Sequence, residues 1–131
     1  MSGEKDLNKI LNSLQPSLNE GDYVFCTIPA GDLKVSVEDI IGSFREREGM
    51  TVVVSKDVAD RLGFRYDLVL SWITLNIHSS LEATGLTAAF STALSKENIS
   101  CNVIAAYYHD HIFVSKKDSS AALRILQGLS K

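Results

Sequence analysis

The sequence predicts an α+β fold of two βαββα units, each with an antiparallel sheet and helices on one face. Three observations support this. Strand-like and amphipathic helical runs are mixed along the chain. The segment TVVVSK, residues 51–56, matches HIFVSK, residues 111–116, sixty residues later. Each of these segments follows a strand and a hairpin and precedes a helix. The halves are therefore predicted to be a weak internal duplication.

The first half begins with a predicted helix over residues 5–14, which Pro16 ends. A strand over residues 22–28 follows and stops at Pro29. A polar connection over residues 30–40 has room for one short helical turn. The apolar residues of the first helix recur at helical spacing and are Leu7, Ile10, Leu11 and Leu14.

A hairpin and a short helix complete the first half. The predicted strands cover residues 41–47 and 50–55, with a tight turn at Glu48-Gly49 between them. The helix covers residues 57–62, and Gly63 is a natural C-cap because glycine adopts the left-handed conformation readily. The connection before this hairpin is short, where the second half has a full crossover helix.

The second half has stronger patterns. A long strand lies within residues 68–78, and two further strands, 102–107 and 112–115, surround a hairpin. Asp118 is a plausible N-cap for the last helix. Apolar residues recur at helical spacing along one face of the predicted crossover helix, and we call this face its stripe: Leu86, Ala89, Phe90, Ala93 and Leu94. The last helix has a stripe of Ala122, Ile125, Leu126 and Leu129.

Two domains follow from these elements: a divergent N-terminal unit with a leading helix, residues 1–66, and a C-terminal unit, residues 67–131. A unit of about 65 residues has a marginal core, so we expect both to pack as one compact body. The second unit lacks an obvious closing strand after its last helix. A strand from the first half, or from a partner subunit, is expected to complete its sheet.

Composition excludes several classes of function. The chain has 131 residues and a net charge of −3, without the basic excess that nucleic-acid binding needs. No apolar run reaches the roughly 18–20 residues that cross a bilayer. The polar N-terminus has no signal-peptide core, so we expect a cytoplasmic protein. Cys26 and Cys101 lie in apolar runs and are expected to be buried free thiols.

One strand–loop–helix stretch is the most distinctive pattern of the second half. It runs from the strand Leu75–His78 through GLTAAF, residues 85–90, to NISCNVI, residues 98–104. This pattern resembles the ACT domain, and most closely its tandem, aspartate-kinase-like branch. The resemblance is good over residues 68–128 and weak over 20–66. It implies two ferredoxin-like units in a regulatory domain without catalytic activity, which binds an amino acid between ACT units.

The loop before the crossover helix suits a small zwitterion on physical grounds. A strand-to-helix loop presents unpaired amides at the positive end of the helix dipole, where a carboxylate binds well. Gly85 permits close approach of backbone to ligand. We expect the amides of Gly85, Leu86 and Thr87 to hold the carboxylate. The backbone of Asn102, Val103 and Ile104, on the adjacent strand, would meet the amino group.

Side chains around this loop complete the expected site. Glu82 or Asp110 would pair with an ammonium or guanidinium group, and His78 would read the ligand side chain together with Glu82. The hydroxyls of Thr84 and Thr87 would add contacts. The expected partners are an amino acid or similar zwitterion and a second copy of the chain, in a homodimer or higher homo-oligomer.

Other interpretations remain open from the sequence. Ser79-x-x-Glu82 is also a capping box, which would start the helix near Ser80 and leave Gly85 inside it. The chain would then be a structural or oligomerisation module without a ligand, which assembles through its sheet edges.

Metal binding and catalysis are weaker alternatives. His109 and His111 share a strand face, and with His78 and Asp110 they include zinc ligand types. A polar hairpin turn explains these residues without a metal, so we expect no metal and no cofactor. Cys101 beside His78 or His109 is conceivable as a nucleophile with its base. A buried, inert cysteine explains Cys101 better, and we expect no enzyme.

Overall fold

A computed structural model of the chain describes residues 7–29, 31, 34–76 and 85–130. Short 3-10 turns lie at Val37–Asp39 and Lys116–Asp118. The helices and strands, in chain order, are α1 (Leu7–Asn12), β1 (Gln15–Ile28), β2 (Gly42–Arg45), β3 (Met50–Ser55), α2 (Lys56–Leu62), β4 (Leu70–Asn76), α3 (Leu86–Ser95), β5 (Cys101–Ala105), β6 (Asp110–Ser115) and α4 (Ser119–Gly128).

The predicted α+β class is confirmed. The strands follow the hydrogen-bonded order β2-β3-β1-β4-β6-β5 and pair in antiparallel fashion. By its internal contacts the chain divides into two units. We call Gly21–Leu70 the continuous unit, and Met1–Glu20 together with Ser71–Lys131 the split unit. Strand β1 contributes its first part to the split unit and its second part to the continuous unit.

The continuous unit is built around strand β3. β3 pairs with β2 on one side and with the second part of β1 on the other, where Ile28 lies opposite Met50. Ser55 caps α2, because its Oγ accepts a hydrogen bond from the Val58 N–H at 3.2 Å. Gly63 ends α2 in the left-handed conformation with φ 74°, as predicted. The core consists of Val24, Cys26, Ile28, Val35, Val52, Val54 and Ala59.

The split unit contains the N-terminal segment of the chain, which the sequence division had placed with the first half. The N-terminal segment belongs to this unit because its apolar side chains are buried there. Leu14 is in the core of the split unit, and Leu7 and Leu11 of α1 pack against that core. The core residues are Leu14, Ile73, Leu75, Leu86, Phe90, Leu94, Ile99, Ile112, Val114, Ala122 and Leu126.

Strand β1 closes the sheet of the split unit. It lies beside β4, and Asn76 Nδ2 donates to Ser17 Oγ at 2.8 Å. The sequence left two sources for this closing strand, and the one within the chain is confirmed. β1 therefore begins at Gln15 and not near residue 22, and Pro16 lies inside a strand. Pro16 is tolerated because it is the second residue of that strand, where a missing N–H costs little.

The internal duplication extends to hairpin register. In the first hairpin Arg45 lies opposite Met50, and in the second Ala105 lies opposite Asp110, at positions shifted by sixty residues. The inner strands, β3 and β6, share the same pattern of burial along their six residues. The two hairpins are therefore equivalent parts of a repeated unit.

Candidate functional site

Helix α3 begins after a glycine, which has no side chain to cap its first amides. Gly85 is the N-cap with φ 87° and ψ −13°, and among the described residues it provides no side-chain hydrogen bond to the helix. The Gly85 carbonyl accepts the first helical bond, from the Ala89 N–H at 2.9 Å. Gly85 therefore precedes α3 and does not lie inside it, which contradicts that part of the capping-box interpretation. Ser79, Ser80 and Glu82 lie outside the described residues. The first-turn amides of Leu86 and Thr87 have no acceptor within the helix.

Leu7 approaches Gly85 from α1. A Cβ on residue 85 would lie 3.1 Å from Leu7 Cδ2, which is tighter than ordinary van der Waals contact. The positive φ favours glycine at this position, and a side chain there would also have to displace the end of the Leu7 side chain. The sequence identified Leu7 as an apolar helical residue, but gave no sign that it packs against the loop before α3.

Asp110 is the half-buried carboxylate of this region. It opens β6 and alternates with His111, so it shares the sheet side of Ile112 and Val114, which are in the core under the helices. Burial raises the pKa of the Asp110 carboxyl because the charged form loses hydration. Antiparallel neighbours place the start of β6 at the sheet end where β4 leaves towards α3. A positively charged ligand group beside Asp110 would favour the charged form of its carboxyl and so offset the lost hydration.

The expected position of β5 needs a correction. Asn102, Val103 and Ile104 were expected on the strand adjacent to the one that enters the loop. Strand β6 lies between β4 and β5, and β5 is at the end of the strand order. This follows from hairpin geometry, because the tight β5–β6 connection makes those two strands neighbours.

No nucleophile–base pair is formed by the described cysteines and histidines. Cys101 lies opposite Val114, whereas His109 closes the other end of the same hairpin, roughly 17 Å along the strand. Cys26 is buried and Cys101, expected to be buried, is half-buried. Burial raises the pKa of both thiols, which disfavours the reactive thiolate. Both are free thiols. Over the described ranges no three metal-ligating side chains gather, and His78 lies outside those ranges.

Profiles of known protein families match most of the chain. A family profile of the ACT domain matches residues 2–71, and a second ACT domain profile matches residues 68–128. The chain belongs to the ACT domain family. It carries two ACT domains in tandem, as the resemblance of its second half implied. Among curated proteins, none matches the chain significantly.

Solved structures extend the comparison. A Vibrio cholerae protein of unknown function, a possible transport protein, is 46% identical over 99% of this chain and 100% of its own, with a TM-score of 0.85. The regulatory subunit of aspartate kinase from Thermus thermophilus has a TM-score of 0.63 at 10% identity, over 87% of this chain and 95% of that subunit. Aspartate kinase from Clostridium acetobutylicum has a TM-score of 0.60 at 10% identity, over 89% of this chain and 34% of that enzyme.

Membership of the ACT family supports a regulatory domain that binds a small ligand. Within the second ACT domain, Gly85, Leu86 and Thr87 lie together at the start of α3. Asp110 lies at the start of β6, and Asn102, Val103 and Ile104 lie on β5. The predicted residues His78, Glu82 and Thr84 lie outside the described residues. Of the helices in the described ranges, none has the length and apolarity needed to span a bilayer.

Replacing Asp110 with asparagine is expected to stabilise the unliganded ACT protein at neutral pH. The raised pKa means that the folded state binds this proton more tightly than the unfolded state. The charged carboxylate therefore costs stability above the raised folded pKa, and the cost disappears as pH falls towards 3.8. Melting temperatures from pH 4 to 8 measure the effect. A variant less stable than the parent at pH 7 would contradict it.

Proposed function

We propose that the protein is a non-catalytic regulatory domain that binds an amino acid, or a similar small zwitterion, at the start of α3. The observation that carries the proposal is a pair of complementary charges at one end of the split unit. The amides at the start of the ten-residue helix α3, which follow an N-cap glycine without a side chain, offer partial positive charge. The half-buried Asp110 offers negative charge on the helix side of the sheet. A zwitterion carries a group suited to each.

Specific roles follow from this proposal. The amides of Gly85, Leu86 and Thr87 bind the ligand carboxylate, and the exposed Thr87 hydroxyl adds a contact. Asp110 or Glu82 pairs with the ammonium group, while His78 and Glu82 contact the ligand side chain and Thr84 adds a hydroxyl. The backbone of Asn102, Val103 and Ile104 contributes only where ACT domains pair, because β5 is the outer strand. Binding between paired domains in a homodimer is part of the proposal, as is a cytoplasmic location.

Regulation requires more than binding. A ligand shifts an equilibrium only by its difference in affinity for two states of the protein. For this domain to regulate a partner, binding of the ligand must therefore be coupled to a second site or to a change of state in that partner. The domains of known aspartate kinases supply the precedent for such a fold in a regulatory subunit.

Thermal-shift measurement against the twenty amino acids tests the ligand. A ligand at 100 times its Kd should stabilise the folded state by about 2.7 kcal/mol, because it binds the folded chain alone. At least one amino acid is expected to raise the melting temperature in a saturable way. If all twenty leave it unchanged at millimolar concentration, the protein is not an amino-acid sensor.

Matched glycine variants test the position of the site. Gly85→Glu places a carboxylate at the start of α3 and should abolish the shift. Gly63→Glu is the control, since Gly63 is also a positive-φ glycine at a helix end and has open space around its Cβ position. Gly63→Glu should retain the shift, and a shift that survives Gly85→Glu would place the site elsewhere.

An oligomerisation module without a ligand is the alternative, and one feature favours it. Strand β5, Cys101–Ala105, has no charged residue, and in the described order of strands it pairs with β6 alone. Uncharged edge strands are templates for pairing with a second chain. Sedimentation velocity of the parent and of Val103→Lys distinguishes the cases, since a dimer that pairs through β5 should dissociate in the variant.

A further inference from the structure

A half-buried polar network lies on the sheet face of the split unit opposite the core residues of β4. Trp72 and Thr74 alternate along β4 with the core residues Ile73 and Leu75, so they lie on the opposite face. The His111 side chain lies beside Thr74 on this face. Asn19 of β1 also reaches this face, where its Nδ2 donates to Thr74 Oγ1. The Trp72 ring stacks on Phe113, with ring centroids 6.0 Å apart and planes 17° apart.

The geometry fixes the protonation of His111. Trp72 Nε1–H donates to His111 Nδ1 at 3.0 Å. Because an indole N–H can only donate, Nδ1 must carry a lone pair and the proton of the neutral ring must be on Nε2. Thr74 Oγ1 lies 3.2 Å from the same Nδ1 atom, and it accepts a hydrogen bond from Asn19 Nδ2 at 2.9 Å.

A proton on Nδ1 is incompatible with this arrangement. Two N–H groups would then face each other across the 3.0 Å that now separates Trp72 Nε1 from His111 Nδ1. Thr74 Oγ1 is the acceptor within reach, since a hydroxyl oxygen can accept two hydrogen bonds. We propose that the Trp72–His111 pair is a proton-operated switch. Uptake of a proton from water at Nδ1 breaks the bond from Trp72, transfers the hydrogen bond to Thr74 and releases the indole.

The surroundings of His111 support a transition at mildly acidic pH. Burial lowers the pKa of the His111 ring, and the charge of His109 lowers it further. The His109 ring centroid is 6.1 Å away, and His109 directly precedes β6. Ile104 lies opposite His111 on β5, and the β4 side chains that contact His111 include Trp72 and Thr74, neither of which carries a charge. Glu20 alternates with Asn19 along β1 and so points to the other face.

The switch lies on the two strands that border the proposed ligand site. Strand β4 leads into the loop before α3, and β6 begins at Asp110, one residue before His111. A change in the Trp72–His111 contact therefore acts on strands whose ends carry the start of that loop and the Asp110 carboxylate. The proposal stands without a ligand, because it concerns the unliganded chain.

Fluorescence tests the switch directly, because Trp72 is the single tryptophan of the protein. Its emission should change in one transition with a midpoint below pH 6.5, the ordinary pKa of histidine. His111→Asn should abolish the transition, since asparagine retains an acceptor near the Nδ1 position but does not titrate. His109→Asn should raise the midpoint, because it removes the nearby charge. Far-UV circular dichroism checks that each variant is folded.

Proton NMR of the unmodified protein supplies a second measurement. The His111 ring should titrate below pH 6.5 in the same range as the fluorescence, and Trp72→Phe should raise that midpoint because the N–H that favours the neutral ring is lost. A fluorescence transition that persists in His111→Asn would overturn the proposal. So would a His111 midpoint at or above pH 6.5 in the unmodified protein, whether or not the variants fold.

Discussion

Replacing Phe90 with alanine is expected to lower the free energy of unfolding by about 3–5 kcal/mol. Phe90 is 0% exposed on α3 and lies in the core of the split unit. Truncation removes most of a large ring and leaves a cavity that the surrounding strands and helices fill only in part. Since domains are stable by only about 5–15 kcal/mol, this one change removes a large part of the total.

Urea denaturation followed by circular dichroism measures this loss. The urea midpoint should fall while the m-value changes little. This is the result expected when a substitution lowers stability and leaves the compactness of the unfolded state unchanged. Thr92→Ala is the control, because Thr92 is exposed on the same helix, and it should change stability by about 0.5 kcal/mol or less. A loss below about 1 kcal/mol for Phe90→Ala would mean that α3 does not pack as described.

Replacing Gly49 with alanine is expected to cost about 2–5 kcal/mol. Gly49 has a φ of 153°, and a Cβ there would lie 2.5 Å from the carbonyl oxygen of Ile28. That oxygen belongs to β1, where Ile28 is paired with Met50, so it cannot move without disturbing the pairing. Backbone strain of about 1–2 kcal/mol adds to about 1–3 kcal/mol for the steric clash.

Gly63→Ala separates these two causes. Gly63 also has a positive φ, 74°, but nothing lies within 4 Å of its Cβ position. This control should lose about 1–2 kcal/mol from backbone strain alone. Thermal or urea unfolding of both variants gives the difference, which is the cost of the contact with Ile28. Equal losses in the two variants would contradict the steric explanation.

The second hairpin closes without a glycine at the position equivalent to Gly49. Residue 109 corresponds to Gly49 at the sixty-residue shift, and His109 closes the second hairpin through its carbonyl, which accepts from the Ala106 N–H at 3.0 Å. Among the described residues Asn98 is the non-glycine residue with positive φ, so His109 adopts an ordinary conformation. Equivalent turns in the two repeats therefore have different backbone geometry, and alignment alone does not show this.

Sequence patterns predicted well those helices and strands whose formation depends mainly on residues close together in the chain. β3 has the predicted bounds, Met50–Ser55. The stripe on α3 is confirmed by the burial of Leu86, Phe90 and Leu94. Gly63 ends its helix as predicted. These features depend on hydrophobic periodicity and on the conformational freedom of glycine, both of which can be read within a few residues.

Contacts between distant segments were not predictable in this way. Asn19 bonds to Trp72 and Thr74, which are 53 and 55 residues away. Nothing in the local sequence shows that β1 extends to meet β4, and Pro16 argued against it. Likewise, the Trp72–His111 bond joins residues 39 apart. The sequence brought His109 and His111 together, and their ring centroids are 6.1 Å apart, but it did not indicate the indole that donates to His111 Nδ1.

Patterns along the chain were enough to predict the α+β class, the sixty-residue repeat, most of the helices and strands, and the resemblance of the second half to the ACT domain. Tertiary structure decided which segments share a core, that Leu7 lies against Gly85, that β6 separates β4 from β5, and that Asp110 is half-buried on the helix side. The reason is physical: periodicity specifies which face of an element is apolar, whereas pairing and packing specify what that face meets.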